Sequence, residues 1–496
     1  MIRRVVILLA VISLIAVAAI GGTLYWLLAG DGVRLALERQ ATAWLGKPVR
    51  IASARPALLP RPGIRLERID VGDPVALTLG TIDVSSDGRA LLSRRIENAS
   101  IEVTNSRIRM PLPFGLPASR DQSTSGGGMK LVSVRSISLH GITLESRGQQ
   151  ITVSAESSLS GSRLLLRSFT AATTRTTLDA SGEIDLAPRV DARLRVKANR
   201  LDVDELLALA SAFAPPKTTA REPGVADRMP ARIAARVSAE TASAAGVTVR
   251  QFATDLEVEG GRLSLSPLTF QLFGGRYQGS LAASLGDTIA ATLRSRLMDI
   301  DVAQLAEFGG NGGSITGRLT GAGNFSGAGP DTARLLRSIH GDGTASIVNG
   351  TIRHLDLVPT VVLFFGRPAP ARQPASDAFQ RLDATVAIAN RVVTAQALSL
   401  HATDADIVGT GTLNLDTSRL DGRLDMSLSE ALSTQAGRDL YRYTREGNRV
   451  VLPATLGGTL GSPRLAIDAS AAIQRGLKNE IQRRLGGILD RFGTNP

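Results

Sequence analysis

The chain has 496 residues, 43% of them hydrophobic and 21% charged, with 50 Gly and 22 Pro. That balance excludes wholesale disorder and a collagen-like repeat. Cys is absent, which excludes a disulfide scaffold, a thiol nucleophile and Cys-based zinc sites; four His (His140, His340, His354, His401) leave little for histidine metal chemistry. Lys plus Arg outnumber Asp plus Glu by 57 to 45, a net charge of +12, and nearly all of the basic residues are Arg.

Val5 to Ala29 is an uncharged run that includes Val5, Leu8, Ile12, Ile15 and Ile20. As a helix it is about 37 Å long, enough for a ~30 Å hydrocarbon core. Arg3 and Arg4 precede it, and Tyr25 and Trp26 stand near its far end, where aromatic rings favour the interface. The positive-inside rule places Met1 in the cytoplasm and the chain beyond about residue 30 across the membrane. The competing reading is a cleaved signal peptide at Ala16-Val17-Ala18, but the apolar run continues to Ala29, past the length of a signal core. A single-pass anchor is expected, with residues 1–30 as tip and span.

An exported body does not meet a genome, so no nucleic-acid partner is expected. The scattered Arg residues are then solvated strand faces or an attraction to anionic lipid headgroups. From about residue 50 the pattern is period-2 alternation. Ile137, Leu139, Ile142 and Leu144 alternate with Ser136, Ser138, Thr143 and Glu145; Leu194 and Val196 alternate with Arg193, Arg195 and Lys197. Leu424, Met426 and Leu428 alternate with Arg423, Asp425 and Ser427 further on. Such strands have one apolar and one polar face, and turn signals such as Glu259-Gly260-Gly261-Arg262 bound them. An antiparallel, mainly β fold with few short helices is predicted.

Pro111 to Gly128 reads as a loop, and the Pro-rich Ala214 to Pro230 as a linker between a first β segment, 31–213, and a second, 231–470. Phe365 to Ser376 is a third irregular stretch. An internal repeat spans the linker. GEIDLAPRVDARLRVKANRLDVD at 182–204 and GSLAASLGDTIAATLRSRLMDID at 279–301 align without a gap, and a weaker third copy starts at Gly411. The two aligned copies end in apolar-Asp-apolar-Asp before a short helical stretch, so Asp202 and Asp204, or Asp299 and Asp301, read as helix caps.

Residues 471–496 differ from the rest. Ile473, Leu477, Ile481, Leu485, Ile488, Leu489 and Phe492 fall on one face of a helix whose remainder carries Arg475, Lys478, Arg483, Arg484 and Arg491. A basic amphipathic helix can lie on a membrane; it can also cap the open end of the last sheet.

No H-E-x-x-H, G-x-S-x-G or G-x-x-x-x-G-K-[ST] pattern is present. Gly321-Ala322-Gly323 with Gly327 has the wrong spacing for a dinucleotide loop. His340 and His354 flank a hairpin, and Asp404 with Asp406 is the one carboxylate pair worth noting. No catalytic residue, cofactor or metal site is expected, and the chain is read as a non-enzyme.

GKPVRIASARPALLPRPGIRLERIDVGDP at 46–74, FQLFGGRYQGSLAASL at 270–285, SITGRLTGAGNFSG with SIHGDGTASIVNGTIRHLDL, and FQRLDATVAIANRVVTAQALSLHATDADIVGTGTLNLDTSRLDGRL follow one another after the anchor. In this order they resemble the AsmA family of inner-membrane-anchored bacterial envelope proteins. The chain departs from that pattern at Phe273, His340 and Asn390-Arg391. The resemblance implies an elongated, curved antiparallel sheet with an apolar groove, in a single-pass inner-membrane protein with its bulk in the periplasm. It implies phospholipid as ligand and outer-membrane or envelope proteins as partners. Two roles remain open: shielding or transfer of phospholipid acyl chains, and assembly of outer-membrane proteins without lipid carriage.

Overall fold

In the computed structural model the described residues are 32–57, 61–87, 95–110, 130–131, 133–213, 231–284, 288–353, 355–368, 378–435, 444–446, 448–474 and 481. The chain divides into two compact units at Gly260 and Gly261, and each is mainly β. Among the described residues no helix is long and apolar enough to cross a membrane. The expected anchor, with Val5, Leu8, Ile12, Ile15, Ile20, Tyr25 and Trp26, lies outside them.

The first unit opens with helix α1 (Gly32–Leu45) and strands β1 (Val49–Ala57), β2 (Gly63–Val71) and β3 (Leu77–Ser85). β4 (Arg95–Ile96), β5 (Ala99–Thr104), β6 (Arg107–Met110) and β7 (Lys130–Leu131) follow, then the long strands β8 (Val134–Ser146), β9 (Gln149–Ser160), β10 (Arg163–Ala172), β11 (Thr177–Asp185) and β12 (Asp191–Asp202). Helix α2 (Val203–Ala212) leads on to β13 (Arg232–Ala244) and β14 (Val247–Glu259). β1, β2 and β3 pair antiparallel, β5 and β6 share the place beside β3, and β8 to β12 continue as an antiparallel meander.

The all-antiparallel expectation needs correction. β8 pairs in parallel with β5 and β6, β12 in parallel with β13, and the small strands β4 and β7 in parallel with each other. A parallel neighbour requires a crossover rather than a tight turn. The stretches read as loop and linker, 111–128 and 214–230, stand in these connections. The stretch 214–230 lies outside the described residues, and β12 and β13 on either side of it are hydrogen-bonded in one sheet.

Leu37, Ala41 and Leu45 of α1 fall at helical spacing and are buried against Ile51, Leu66, Ile69, Ile82 and Val103 in the main core of this unit. The polar side of α1 serves the edge strand. The Ile51 amide donates to Glu38 Oε1 at 2.8 Å and the Val49 amide to Thr42 Oγ1 at 3.0 Å. Arg34 Nη1 donates to the Ile51 carbonyl at 3.3 Å and to Glu38 at 2.9 Å. Side chains thus satisfy backbone groups that an uncovered edge would offer to another strand. Between β5 and β6 the chain bulges at Asn105, whose φ is 50°. Gly80 runs beneath it, where a Cβ would collide with the Asn105 carbonyl oxygen.

The second unit is antiparallel throughout its described pairings. β15 (Arg262–Leu272), β16 (Gly275–Ser284) and β17 (Ile289–Asp301) precede helix α3 (Val302–Phe308). β18 (Arg318–Gly329), helix α4 (Thr332–Arg337), β19 (His340–Thr351) and helix α5 (Leu357–Phe364) follow. The remaining elements are β20 (Ala378–Ala389), β21 (Val392–Ala402), β22 (Ala405–Asn414), β23 (Leu420–Leu428), helix α6 (Glu430–Ser433), β24 (Arg445–Glu446), β25 (Arg449–Thr459) and β26 (Ser462–Ile467). Pairing runs in sequence from β17 to β23, then to β25 and β26, with β24 on β25. Leu357, Val361 and Val362 of α5 are buried against Leu400, Ile407, Met426 and Leu452, the core of this unit.

The repeat is a structural unit: a hairpin whose second strand runs straight into a capped helix. Asp202 caps α2 by accepting from the Glu205 amide at 2.8 Å, and Asp301 caps α3 by accepting from the Ala303 amide at 2.9 Å. The weaker copy ends the same way, with Ser429 accepting from Leu432 at the start of α6. The gapless alignment equates Asp202 with Asp299, yet the cap stands two residues later. β17 bulges between Leu297 and Ile300, and Asp299 there has a φ of 57°. Asp204 does not cap either; it accepts from the Ala245 amide at 2.8 Å.

Candidate functional site

In each unit, alternation and register together make one face of the sheet almost wholly apolar. In the second unit the paired positions Leu265, Leu281, Leu293 and Phe325 stand side by side across β15 to β18. The row continues through Gly341, Ile388, Val393, Leu413 and Leu420 on β19 to β23. A second row beside it is nearly free of side chains: Gly279, Ser295, Gly323, Gly343, Val386, Ala395, Gly411 and Gly422. From β16 to β23 it crosses eight strands, about 34 Å at the usual strand spacing.

Every other position of this face on β16 to β23 is Gly, Ala, Val, Leu, Ile, Met or Phe, apart from Tyr277 and Ser295. Those two satisfy each other at 3.1 Å. Burial raises the Tyr277 phenol above its ordinary value against the smaller opposing effect of the Ser295 hydrogen bond.

The row from Leu265 to Leu420 is half-buried along its length, whereas the third row on toward α5, with Leu400, Ile407 and Met426, is buried. Helix α4 sits on the same face at the far end of β18, where a Cβ on Gly327 would lie 2.9 Å from the Leu335 carbonyl oxygen. Helices thus close the ends of the face, and the rows between them are only partly covered. The glycine row is partly filled by neighbours: the Phe325 ring lies where a Cβ on Gly323 would stand, and Phe270 stacks on Tyr277 with centroids 4.3 Å apart.

The first unit has the same construction. Leu159, Leu164, Ile184, Ala192, Ile233 and Val258 are paired in turn across β9 to β14. Helix α2 covers the opposite end of that face through Leu206 and Leu209. The hydroxyls on this face are spent on carbonyls: Ser146 on Ala212 at 2.6 Å, Ser157 on Ile137 at 3.1 Å and Thr254 on Asp255 at 3.4 Å.

The outer face carries the charge. Many of the scattered Arg residues meet an acid across the ladder, as in Arg65 with Asp83 at 2.6 Å, Arg232 with Glu257 at 2.6 Å and Arg236 with Asp255 at 2.9 Å. In each pair the hydrogen bond and charge of the acid raise the arginine's pKa.

Of the C-terminal positions, Ile473 and Ile481 are exposed at 65% and 58%, beside the buried Ala472. The backbone of residues 469–474 is helical and Asp468 accepts from the Ala471 amide. Leu477, Leu485, Leu489 and Phe492 lie outside the described residues, as does His354. His340 is exposed and its Nδ1 lies 3.0 Å from the Ser338 carbonyl oxygen. Among the described residues no group of three His, Cys, Asp or Glu is placed to hold a metal ion.

Asp404 and Asp406 do not act as a pair. Asp404 lies before β22 and its carbonyl accepts from Ser429. Asp406 instead belongs to a network that the sequence reading missed. His401 Nδ1 is 2.9 Å from Asp406 Oδ1, His401 Nε2 is 3.1 Å from Ser399 Oγ, and Arg449 Nη1 donates to Asp406 Oδ2. The available signal was Ser-x-His on one strand face with an Asp one hairpin away.

No family model, curated protein or solved structure matches the chain.

Proposed function

We propose that the chain is a membrane-anchored periplasmic protein that shields or transfers phospholipid acyl chains along the apolar faces of its sheets. One observation carries this reading: in each unit a continuous apolar face spans many strands, its central rows are only partly covered, and every hydroxyl on it has a partner. Such a face leaves no polar group unsatisfied when water is replaced by hydrocarbon. Each acyl CH2 withdrawn from water contributes about 0.8 kcal/mol. The low glycine row between apolar rows gives a chain room to lie across the strands, the groove of this account.

The resemblance to the AsmA family and the anchor expected over Val5 to Ala29 support an inner-membrane, periplasmic setting. The assembly role without lipid carriage is the alternative, favoured where α1 and α5 close the face into ordinary core. The test is replacement of Leu281, Leu293 and Leu413 by Glu, singly and together. Phospholipid co-purifying with the full chain should fall with each change while the fold is kept. Undiminished lipid in the triple variant would refute the groove.

A further inference from the structure

The polar face of the second unit carries a feature unconnected with acyl chains. Ser399 and His401 project from the same side of β21, and Asp406 is the direct cross-strand partner of His401 on β22. Ser399 Oγ lies 3.1 Å from His401 Nε2, and His401 Nδ1 lies 2.9 Å from Asp406 Oδ1. With Nδ1 donating to the carboxylate, Nε2 is left to accept from the serine hydroxyl, the arrangement a general base needs. Arg449 holds the other oxygen of Asp406 and is itself fixed by donating to the Leu428 and Ser427 carbonyls at 2.6 and 2.9 Å. Burial pushes the Asp406 carboxyl up, but hydrogen bonds from His401 and Arg449 outweigh it and hold it below the ordinary carboxylate value.

Ser399 lines an open cavity of about 810 Å³ together with Arg381, Thr320, Thr344, Thr385 and Val408. Arg381 is the cross-strand neighbour of His401 on β20. Its Nε is held by Asp383 Oδ2 at 2.7 Å, and its two Nη groups make no further hydrogen bond among the described residues. Nucleophile and cation thus share one cavity wall, and the base and its orienting carboxylate stand behind the nucleophile in a chain of hydrogen bonds.

We propose that Ser399, His401 and Asp406 form a hydrolytic relay that cleaves small carboxylic esters bound in this cavity. Ser399 Oγ attacks the ester carbonyl carbon while its proton passes to His401 Nε2. Arg381 stabilises the oxyanion. The bond to the alcohol oxygen breaks, and the proton on Nε2 leaves with the alcohol, giving an acyl-Ser399 ester. Water repeats the sequence: it adds to the acyl carbon, gives its proton to His401, and the carboxylic acid departs as Ser399 regains its proton. Asp406 is the positioning residue. The cavity opens on the face opposite the apolar rows, so the activity stands or falls independently of lipid binding.

The test treats the folded full chain with a fluorophosphonate and locates the modified serine by mass spectrometry, alongside hydrolysis of p-nitrophenyl acetate. Ser399 should be modified in preference to every other serine, at a rate that rises as the imidazole loses its proton. His401→Ala should slow modification and hydrolysis on the order of a hundredfold. Asp406→Asn should slow both and displace the pH profile, a change that a merely structural carboxylate would not produce. Ser399 left unmodified in the folded wild-type chain, or modified equally fast in His401→Ala, would overturn the proposal.

Discussion

The hydroxyls of Tyr277 and Ser295 lie 3.1 Å apart across β16 and β17. They are the only polar side-chain groups on the apolar face of β16 to β23. Tyr277 is 7% exposed, so its phenol has lost water and relies on this one partner. The pair shows how the face stays compatible with hydrocarbon.

Removing one partner should therefore cost more than removing both. Ser295→Ala strands a buried phenol and should destabilise the second unit by about 1–2 kcal/mol. The double change Tyr277→Phe with Ser295→Ala should recover much of that loss. Denaturant midpoints of these two variants and of Tyr277→Phe alone measure the coupling; additive losses would show that the hydrogen bond is not shared.

The repeat predicts different costs for aspartates that look alike in sequence. Asp301→Ala removes the α3 cap and should cost about 1 kcal/mol. Asp299→Gly should be neutral or slightly stabilising, because the residue has a φ of 57° that glycine adopts freely. Thermal melts of the two variants would separate them.

Two glycines on the apolar face should also part company. A Cβ on Gly341 would collide with the Asn324 carbonyl oxygen, whereas on Gly411 the nearest atom, the Asp421 carbonyl oxygen, is 3.2 Å away. Gly341→Ala should destabilise the sheet. Gly411→Leu should fold and, by filling the low row, reduce phospholipid uptake. Circular dichroism together with lipid extraction would check both halves.

Alternation read from sequence located β8, β12 and β23, because burial on one face leaves a period of two. The caps of α2 and α3 were legible from the Asp residues that end the first two copies of the repeat. The two-residue offset between Asp202 and Asp301 was not, because it depends on a bulge that only pairing with β18 reveals. The parallel pairing of β12 with β13 was equally hidden, since alternation is blind to strand direction. Leu424, Met426 and Leu428 could be placed on an apolar face from sequence, but the alignment of Leu281, Leu293 and Leu413 into one row is a matter of register. Ser399, His401 and Asp406 escaped notice because Asp406 reaches His401 across a hairpin rather than along the chain.

The edge protection of β1 makes a further prediction. Glu38 is mostly buried and accepts from the Ile51 amide at 2.8 Å. Glu38→Ala should destabilise the first unit by about 1–3 kcal/mol and speed hydrogen exchange at Ile51. Unchanged exchange there would show that α1 does not guard the edge.

Acid should act on the second unit through Asp406. Its carboxyl is held below the ordinary value in the folded chain, so the folded state binds fewer protons than the unfolded one. The resulting stabilisation is fully present above the unfolded value, about 4, and is lost as pH falls through the folded one. Asp406→Asn should flatten that part of the stability profile. An unaltered acid limb would remove Asp406 from the account.

Phospholipid should lie on one face of the sheet and not on the other, and neighbouring residues on one strand can report it. A photo-crosslinking side chain placed at Leu413 or Ile388, on the apolar face, should capture phospholipid in the full chain. The same group at Thr412 or Ala387, on the polar face, should not. Equal capture from both faces, or none from Leu413 and Ile388 in the folded protein, would contradict the account.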